Sequence, residues 1–391
     1  MNILYIGSFC IKNIINRYPN LGLDRYKTSG FLIKGFKEIK DVNLDVITAP
    51  DVPSYPKLPK NFKKEIDTDN NTISVGFTNI KGVKQFSIIH NLYKEACKII
   101  KRNCEKTYVI IPYMVYHHVR VAKLLKNKFR NKVVICQIIP DIFYTKKKIS
   151  AFYWMNKYSE NNAKRSDAFI LFTKAMSDYL SIPNDKFIVM ESVIDANTYN
   201  LSSNITNKEN DKLHVLYTGA LKKEHGIMKL VDMMNHIKRN DFELWITGIG
   251  PLSDKLKEAA DKDSRIKFFG TVAKDKVFEL QSKADILINP RSDNDSPELT
   301  RYMFPSKLME YMLTGNPAVI CRMSGIPEDY YQYTFVAENG TSESLAQQLN
   351  RVLDMTDEER KTIGSSARQY ILNNKTISVQ SKRIVDFIKQ F

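Results

Sequence analysis

The chain has 391 residues, carries 59 Lys and Arg against 43 Asp and Glu, and is 43% hydrophobic. This length predicts two domains, and the absence of an 18-residue apolar run argues against a membrane-spanning helix. The five cysteines are scattered without a CxxC pair, so neither a zinc site nor a disulfide framework is expected. The chain starts on a strand pattern and lacks the features of a signal peptide, which favours a cytoplasmic protein.

The positive charge is concentrated in the first half. Residues 1–190 contain 32 Lys and Arg against 15 Asp and Glu, whereas residues 191–391 contain 27 against 28. A negatively charged partner is therefore predicted for the first half. An anionic membrane surface is one candidate, and a solvated lysine-rich surface is the alternative. Nucleic acid is not expected, because no helix-turn-helix, RNA-binding or zinc signature is present.

Strands and helices alternate through the first half. Strands are predicted over 2–7, 44–48, 72–77, 108–112, 132–139, 168–172 and 187–191, with helices between most of them. This order predicts an α/β domain with a parallel sheet. A helix starting near Phe31 would place Ser29 and Gly30 at its N-terminus, where backbone N–H groups can face a phosphate. Ser29 could equally be a plain N-cap.

Aromatic and basic residues are interleaved near the middle of the chain. Lys146–Lys148 lie between the pair Phe143 and Tyr144 and the run Phe152–Trp154. Such a mixture can dock on an anionic bilayer interface, although a solvated helix face over an aromatic core has the same composition. His117 and His118 are adjacent but have no third ligand at metal spacing, so no metal site is predicted.

The second half repeats the strand–helix alternation. Strands are predicted over 214–218, 242–246, 266–269, 286–288, 318–321 and 333–337. Glycines follow four of the predicted elements, namely Gly219, Gly248, Gly270 and Gly315. Ligands of such sheets bind beyond the carboxyl ends of the strands. Small residues there allow a ligand or a neighbouring backbone to approach closely.

The segment 284–320 combines a strand, a charged loop and a helix. The loop contains Arg291, Glu298 and Arg301, and Pro305 is predicted to open the helix because proline suits the first helical position. Thr314-Gly315 is a C-terminal signal for the same helix. A charged loop that leads to a helix N-terminus beside parallel strands is a natural anion site.

Several motifs of the second half together resemble a known family. They are Tyr217-Thr-Gly-Ala-Leu with His225-Gly-Ile, Ile246-Thr-Gly-Ile-Gly-Pro, Phe268-Phe-Gly-Thr-Val, Ala284-Asp-Ile-Leu-Ile-Asn-Pro-Arg and Phe304-Pro-Ser-Lys-Leu-Met-Glu-Tyr. In this order they resemble the retaining GT-B glycosyltransferases of family 4, also called group 1, of bacterial polysaccharide and lipopolysaccharide assembly. The resemblance covers roughly residues 215–320.

The resemblance implies an α/β GT-B fold, in which two doubly wound, Rossmann-like domains face each other across a cleft. The acceptor-binding domain is expected over 1–195 and the nucleotide-sugar domain over 196–375. A C-terminal helix over 376–391 is expected to pack back on the first domain.

The resemblance also assigns roles to positions of this sequence. Glu310 matches the glutamate that hydrogen-bonds the donor ribose, and a carboxylate suits two vicinal hydroxyls because it only accepts hydrogen bonds. Asp141 matches a polar residue beside the transferred sugar. Donor-binding positions are predicted at Ser29, Gly30, Gly219, Lys223, Gly248, Val272, Glu298, Phe304, Pro305 and Ser306.

The sequence departs from the family pattern in its charged residues. Tyr302 stands where a second glutamate is usual, and Ala220 and His225 stand where an arginine and a lysine usually bind the diphosphate. Fixed cations must still stabilise the departing diphosphate. Lys222, Lys223, Arg291 and Lys307 are the candidates, and Arg291 and Lys307 are favoured. Glu298 is a candidate to replace the missing acid.

The expected reaction is transfer of a sugar from a UDP- or GDP-sugar to a saccharide or lipid-linked acceptor, with retention. No metal and no cofactor are expected, although Asp293-Asn-Asp295 is an Asp-x-Asp sequence in the loop. The protein is expected in the cytoplasm or on the inner face of the membrane. A nucleotide-sugar 2-epimerase of the same fold and a non-catalytic transferase subunit are the alternatives, since a fold alone does not determine function.

Overall fold

The computed structural model describes residues 1–19, 21, 27–68, 71–142, 150–199 and 212–391. The lysine run 146–148 and the aromatic pair Phe143 and Tyr144 lie outside these ranges. Two compact units are present. The first consists of Met1–Val193 with Ile377–Phe391, and the second consists of Ile194–Thr376.

The first unit is built on an eight-stranded sheet in the order β10-β9-β8-β7-β1-β2-β5-β4. Its pairings are parallel except for β4, which lies antiparallel to β5 at the edge. β3 and β6 form a separate antiparallel pair. The strands are β1 (Asn2–Gly7), β2 (Asn43–Thr48), β3 (Asn61–Phe62), β4 (Glu65–Asp67), β5 (Thr72–Ser74), β6 (Phe77–Thr78), β7 (Thr107–Pro112), β8 (Val133–Ile139), β9 (Ala168–Leu171) and β10 (Phe187–Val189).

The helices of this unit cover a sheet whose strands are apolar on both faces, as parallel strands buried on both sides require. They are α1 (Lys12–Arg17), α2 (Lys27–Glu38), α3 (Lys84–Arg102), α4 (Tyr116–Phe129), α5 (Ala151–Ala163) and α6 (Ala175–Leu180). Helix α2 begins four residues before the predicted start at Phe31. Ser29 therefore lies within the first turn of the helix, and its assignment as the N-cap is wrong.

The second unit has a six-stranded, all-parallel sheet in the order β13-β12-β11-β14-β15-β16. Apolar residues from the strands and from the covering helices form its core, because alternate residues of each strand point to opposite faces. The strands are β11 (Leu213–Thr218), β12 (Phe242–Thr247), β13 (Ile266–Gly270), β14 (Ile286–Asn289), β15 (Ala318–Cys321) and β16 (Phe335–Ala337).

The helices of the second unit are α7 (Met228–Met234), α8 (Ser253–Lys262), α9 (Lys274–Lys283), α10 (Pro297–Thr300), α11 (Lys307–Thr314), α12 (Glu328–Tyr331), α13 (Ser342–Leu353) and α14 (Asp357–Asn374). The predicted glycine stop of α11 is confirmed, because Gly315 adopts the left-handed conformation at φ 82°. The predicted start at Pro305 is wrong, since α11 begins at Lys307 with Ser306 as its N-cap.

The last helix, α15 (Ile377–Ile388), belongs to the first unit. It packs on α2 so closely that a Cβ atom at Gly35 would lie 2.1 Å from the Ser381 hydroxyl oxygen. Gln380 also donates a 3.4 Å hydrogen bond from its amide to the Met190 carbonyl oxygen. Over the described ranges, every helix is too short or too polar to cross a bilayer.

Candidate functional site

The strand order of the second unit identifies where a ligand would bind. β11 pairs with β12 on one side and with β14 on the other, so the chain reverses its direction of travel across the sheet between β11 and β14. Ligands of open α/β sheets bind at this reversal, beyond the carboxyl ends of the strands. The loops that begin at Gly219 and Pro290 follow these two strands and form the candidate site.

Gly248 is required by the approach of two backbones. A Cβ atom at Gly248, whose φ is +156°, would lie 1.7 Å from the carbonyl oxygen of Gly219. The amide of Gly248 donates to the carbonyl of Gly270 over 2.9 Å. Of the two explanations offered by the sequence, approach of a ligand or of a backbone, the structure therefore displays the second, and this contact fixes the start of the Gly219 loop.

A buried tyrosine, Tyr311, forms hydrogen bonds with the end of β11, where the Gly219 loop begins. The Tyr311 hydroxyl accepts a 2.8 Å hydrogen bond from the Thr218 amide and lies 3.2 Å from the Thr218 carbonyl oxygen. Gln281 donates from its amide to the Thr218 hydroxyl over 3.1 Å. Burial raises the pKa of Tyr311 to about 12, so the hydroxyl stays protonated. Sequence reasoning missed Tyr311 and Gln281, because only the fold brings them to β11.

Arg291 is the distinctive charge of the site. Arg291 follows the carboxyl end of β14 and is partly buried, and its Nε atom is buried without a hydrogen-bond partner. One Nη atom lies 3.4 Å from the sulfur of Met303. Within the described ranges, no carboxylate forms an ion pair with it. Burial lowers the pKa of Arg291, while Asp295, Tyr217 and Glu224 oppose that shift.

Arg291 also lies within electrostatic reach of the loop that follows Gly219. Burial lowers the pKa of His225, and the charges of Arg291 and then Lys222 lower it further. His225 is therefore neutral at pH 7, when Arg291 is charged. Lys222 and Lys223 are exposed. The charge of Arg291 therefore acts on His225, the residue that stands where the resemblance predicts a cation.

The two aspartates of the Asp-x-Asp sequence are engaged separately. Asp293 accepts a 3.0 Å hydrogen bond from the Ser324 amide. Asp295 accepts a 2.7 Å bond from the Lys229 ammonium and a 2.8 Å bond from the Ser292 amide. They therefore serve different contacts within the protein rather than one shared site.

The predicted ribose ligand and one predicted cation lie together on α11. The Lys307 ammonium is 3.4 Å from the Glu310 carboxylate, and the side chains are 40% and 12% exposed, respectively. Ser306 is exposed at the N-cap. Pro305 precedes it, and its carbonyl oxygen accepts from the Leu308 amide over 2.8 Å. Lys307 is therefore paired with Glu310 in this structure.

The remaining predicted positions of this unit differ in exposure. Phe304 is partly buried and packs against the apolar core, with its ring centroid 5.1 Å from that of Tyr330. Val272 packs on the edge of the same apolar cluster. Glu298 is exposed on the short helix α10. Tyr302, in place of the usual acid, has the Arg301 guanidinium 4.7 Å from its ring centroid.

The first unit has its own reversal between β1 and β7. There the Ser8 hydroxyl lies 3.4 Å from Nε2 of His117 and 3.1 Å from Nε2 of His118. His117 Nδ1 lies 2.9 Å from the Gln85 side-chain oxygen. Burial lowers the pKa of His118 to about 4, so this ring is neutral at pH 7.

The predicted positions of the first unit lie on different elements, Ser29 and Gly30 on α2 and Asp141 after β8. Ser29 is buried, and its hydroxyl opposes the rise that burial causes in the pKa of Tyr5. Gly30 is exposed, and a Cβ atom there would meet nothing within 4 Å. Asp141 follows β8, and desolvation raises the pKa of its carboxyl.

Residues 212–355 match the family described as glycosyl transferases group 1. This range contains both loops of the candidate site and α11. No curated protein matches the chain by sequence.

Solved structures share the fold of the whole chain at low identity. An Anabaena protein, HepE, in complex with UDP and glucose is 15% identical with a TM-score of 0.65, and 100% of each chain is covered. The lipopolysaccharide outer core galactosyltransferase WaaB is 16% identical with a TM-score of 0.67 and covers 100% of this chain and 99% of its own. An E. coli trehalose-6-phosphate protein bound with UDP-2-fluoro glucose is 10% identical with a TM-score of 0.67 at the same coverages. The predicted GT-B fold is confirmed, and the family match with this fold supports a glycosyltransferase enzyme.

Proposed function

From the group 1 family match and the GT-B fold, we propose that the chain transfers a sugar from a UDP- or GDP-sugar to a saccharide or lipid-linked acceptor, with retention. The donor binds at the reversal between β11 and β14 in the second unit. The solved relatives with UDP and glucose, and with UDP-2-fluoro glucose, support a nucleoside-diphosphate sugar as the donor class.

Arg291 is the observation that carries the proposal. A guanidinium that is half buried, with its Nε unsatisfied and no carboxylate paired to it among the described residues, costs free energy in the empty protein. A diphosphate would satisfy it, since arginine matches phosphate geometry with two parallel hydrogen bonds. Arg291 thereby supplies charge that Ala220 and His225 no longer provide.

The proposed chemistry needs no protein nucleophile. The bond from the anomeric carbon to the diphosphate breaks, and its electron pair leaves with the diphosphate. The acceptor hydroxyl forms the new bond on the same face, and its proton passes to the departing phosphate oxygen. Arg291, with Lys307 once released from Glu310, stabilises the developing negative charge, which is where fixed cations lower a barrier most.

Glu310 holds the donor in the proposed site. Its carboxylate is largely buried on α11 and accepts from the two ribose hydroxyls. Lys307 is displaced toward the diphosphate when those hydroxyls arrive. Gly219 leaves room for the diphosphate, because no side chain projects from it at the end of β11.

We place the acceptor on the basic first unit, at an anionic membrane surface. Phe152 and Trp154 are 57% and 65% exposed in the first turn of α5, and in the sequence the lysine run 146–148 ends four residues before Phe152. Exposed aromatics beside lysines suit a bilayer interface. Flotation with anionic vesicles at low salt should carry the protein upward, and added salt should release it. Absence from the vesicle fraction at low salt would reject the membrane partner.

The reaction is tested by release of nucleoside diphosphate across a panel of UDP- and GDP-sugars, with and without EDTA. One donor should be hydrolysed slowly, EDTA should not change the rate, and NMR should find the first-formed sugar with the donor's anomeric configuration. An inverted product would contradict retention. Loss of activity in EDTA would contradict a reaction without metal.

A further inference from the structure

Resting on the proposed function, we infer that Lys229 is a positioning residue that keeps Arg291 available for the diphosphate of the donor. It does so by neutralising Asp295, the acid whose charge acts most strongly on Arg291. Lys229 lies on α7 and takes no part in the sequence motifs of the donor site. Its effect on the donor would pass through the loop that carries Arg291.

Lys229 and Ser292 both donate hydrogen bonds to the same oxygen atom of Asp295. The Lys229 ammonium donates to Asp295 Oδ2 over 2.7 Å, to the Ser292 hydroxyl over 2.8 Å and to the Gly340 carbonyl over 3.0 Å. Ser292 donates to the same Oδ2 atom from its amide over 2.8 Å and from its hydroxyl over 3.1 Å. Lys229 and Asp295 are only 15% and 13% exposed, so water screens the pair little.

Asp295 lies where it would otherwise attract Arg291. It is hydrogen-bonded to Ser292, the residue that directly follows Arg291, and its charge raises the pKa of the guanidinium against the effect of burial. Without Lys229, Asp295 would be a partly buried carboxylate with no cation. Arg291 is the neighbouring cation whose guanidinium has no carboxylate ion pair among the described residues. An ion pair between them would have to break before a diphosphate could bind.

Two glycines leave room for this arrangement. A Cβ atom at Gly226 would lie 2.6 Å from Lys229 Cε and 2.7 Å from Asp295 Oδ2. A Cβ atom at Gly340 would lie 2.8 Å from the Ser292 hydroxyl oxygen. Both glycines have positive φ, at 67° and 62°. The Lys229–Asp295 pair therefore joins α7, the Arg291 loop and the segment before α13. A side chain at either glycine would displace this arrangement.

The test measures binding of UDP and GDP by calorimetry, with UMP and GMP as ligands that lack the second phosphate. Lys229→Gln keeps hydrogen-bond donors at the position and removes the charge. It should weaken diphosphate binding about tenfold, because Asp295 then competes for Arg291, and it should weaken monophosphate binding less. Lys229→Arg keeps the positive charge and should bind the diphosphates with native affinity. Lys276→Gln is the matched control, since Lys276 forms an exposed pair with Glu279 at 2.8 Å.

The double variant Lys229→Gln/Asp295→Asn separates charge control from simple support of the loop. It should bind the diphosphate within about threefold of the native protein, because the competing carboxylate is gone. A double variant as weak as Lys229→Gln, or a Lys229→Gln variant of native affinity, would overturn the inference.

Two further outcomes are distinct. If thermal melting shows that Lys229→Gln does not fold, binding of UDP and GDP by Asp295→Asn becomes the test. Native or tighter binding by it supports the inference, and a tenfold loss overturns it. If the native protein binds neither UDP nor GDP, the proposed function fails and the inference falls with it. Native binding that Arg291→Met weakens and Lys229→Gln does not would overturn the inference alone.

Discussion

Replacing Arg291 by methionine should separate ligand affinity from stability. The guanidinium is partly buried, its Nε atom has no partner, and burial lowers its pKa, so the empty protein gains little from the charge. Methionine keeps an unbranched side chain of similar volume. The variant should therefore lose binding of the diphosphate without losing the fold.

The magnitude follows from the contacts that the guanidinium would make. A hydrogen bond to a charged group contributes about 1.5–3 kcal/mol, which corresponds to roughly 10- to 150-fold in the dissociation constant of UDP or GDP. Removing an unsatisfied buried donor relieves about 1–3 kcal/mol, and the lost packing against Met303 offsets part of it. The free energy of unfolding should thus be unchanged or higher by about 1 kcal/mol.

Isothermal titration with UDP and GDP, and urea unfolding of the ligand-free protein, measure the two quantities. Arg301→Met is the control from the same segment, since Arg301 is exposed and its guanidinium lies over the Tyr302 ring. The control should bind like the native protein. Native affinity in Arg291→Met, or a loss of several kcal/mol in stability, would refute the assignment of Arg291 to the diphosphate.

Three further outcomes concern the scaffold, each measured by denaturant unfolding. Gly248→Ala should lower the free energy of unfolding by roughly 2–4 kcal/mol, because its Cβ would clash with the carbonyl of Gly219. Gly30→Ala lies at an open helical site and should raise the free energy of unfolding by about 0.5–1 kcal/mol. Equal changes in the two variants would contradict this difference. Tyr311→Phe should cost about 1–3 kcal/mol by leaving the β11 amide unsatisfied, and a neutral result would refute that support. Burial lowers the pKa of His118 from 6.5 to about 4, so the unfolded chain takes up the proton first as pH falls. This group alone should lower stability by about 2 kcal/mol from pH 7 to 5. His118→Gln should reduce the pH dependence by that amount, leaving the part due to His117, whose pKa burial also lowers; an unchanged pH dependence would contradict the prediction.

The alternation of strands and helices was readable from the sequence because buried parallel strands are short apolar runs that end at turn signals. The bounds Asn2–Gly7 and Ala318–Cys321 were predicted as the structure has them. Helix starts were less certain. α2 begins at Lys27 rather than near Phe31, and α11 begins at Lys307, where the N-cap Ser306 makes none of the side-chain hydrogen bonds that mark a helix start in sequence.

The edge strand β4 was missed because it is only three residues long and mostly polar. Its antiparallel pairing with β5 depends on a partner rather than on its own pattern.

Candidate site residues were predicted from the sequence where a motif contains them. Residues that only the fold brings to the site were missed. Glu310 and the Gly219 loop belong to recognisable motifs, and Arg291 was chosen for its charge. Tyr311 and Lys229 form hydrogen bonds with residues more than 60 positions away along the chain, Thr218 and Asp295. Contacts of this range have no local signature. A sequence motif therefore indicates candidate ligand-binding residues more readily than the residues that contact and support them.

The most direct test of the account compares Glu310→Ala with the native protein on the donor that the native protein hydrolyses best. The quantity measured is nucleoside diphosphate released, with and without a saccharide or lipid-linked acceptor, and Lys307→Ala is assayed alongside. The account predicts that Glu310→Ala loses at least about 1.5 kcal/mol of transition-state stabilisation, or more than tenfold in kcat/KM. Full activity in Glu310→Ala would contradict the placement of the donor in the second unit.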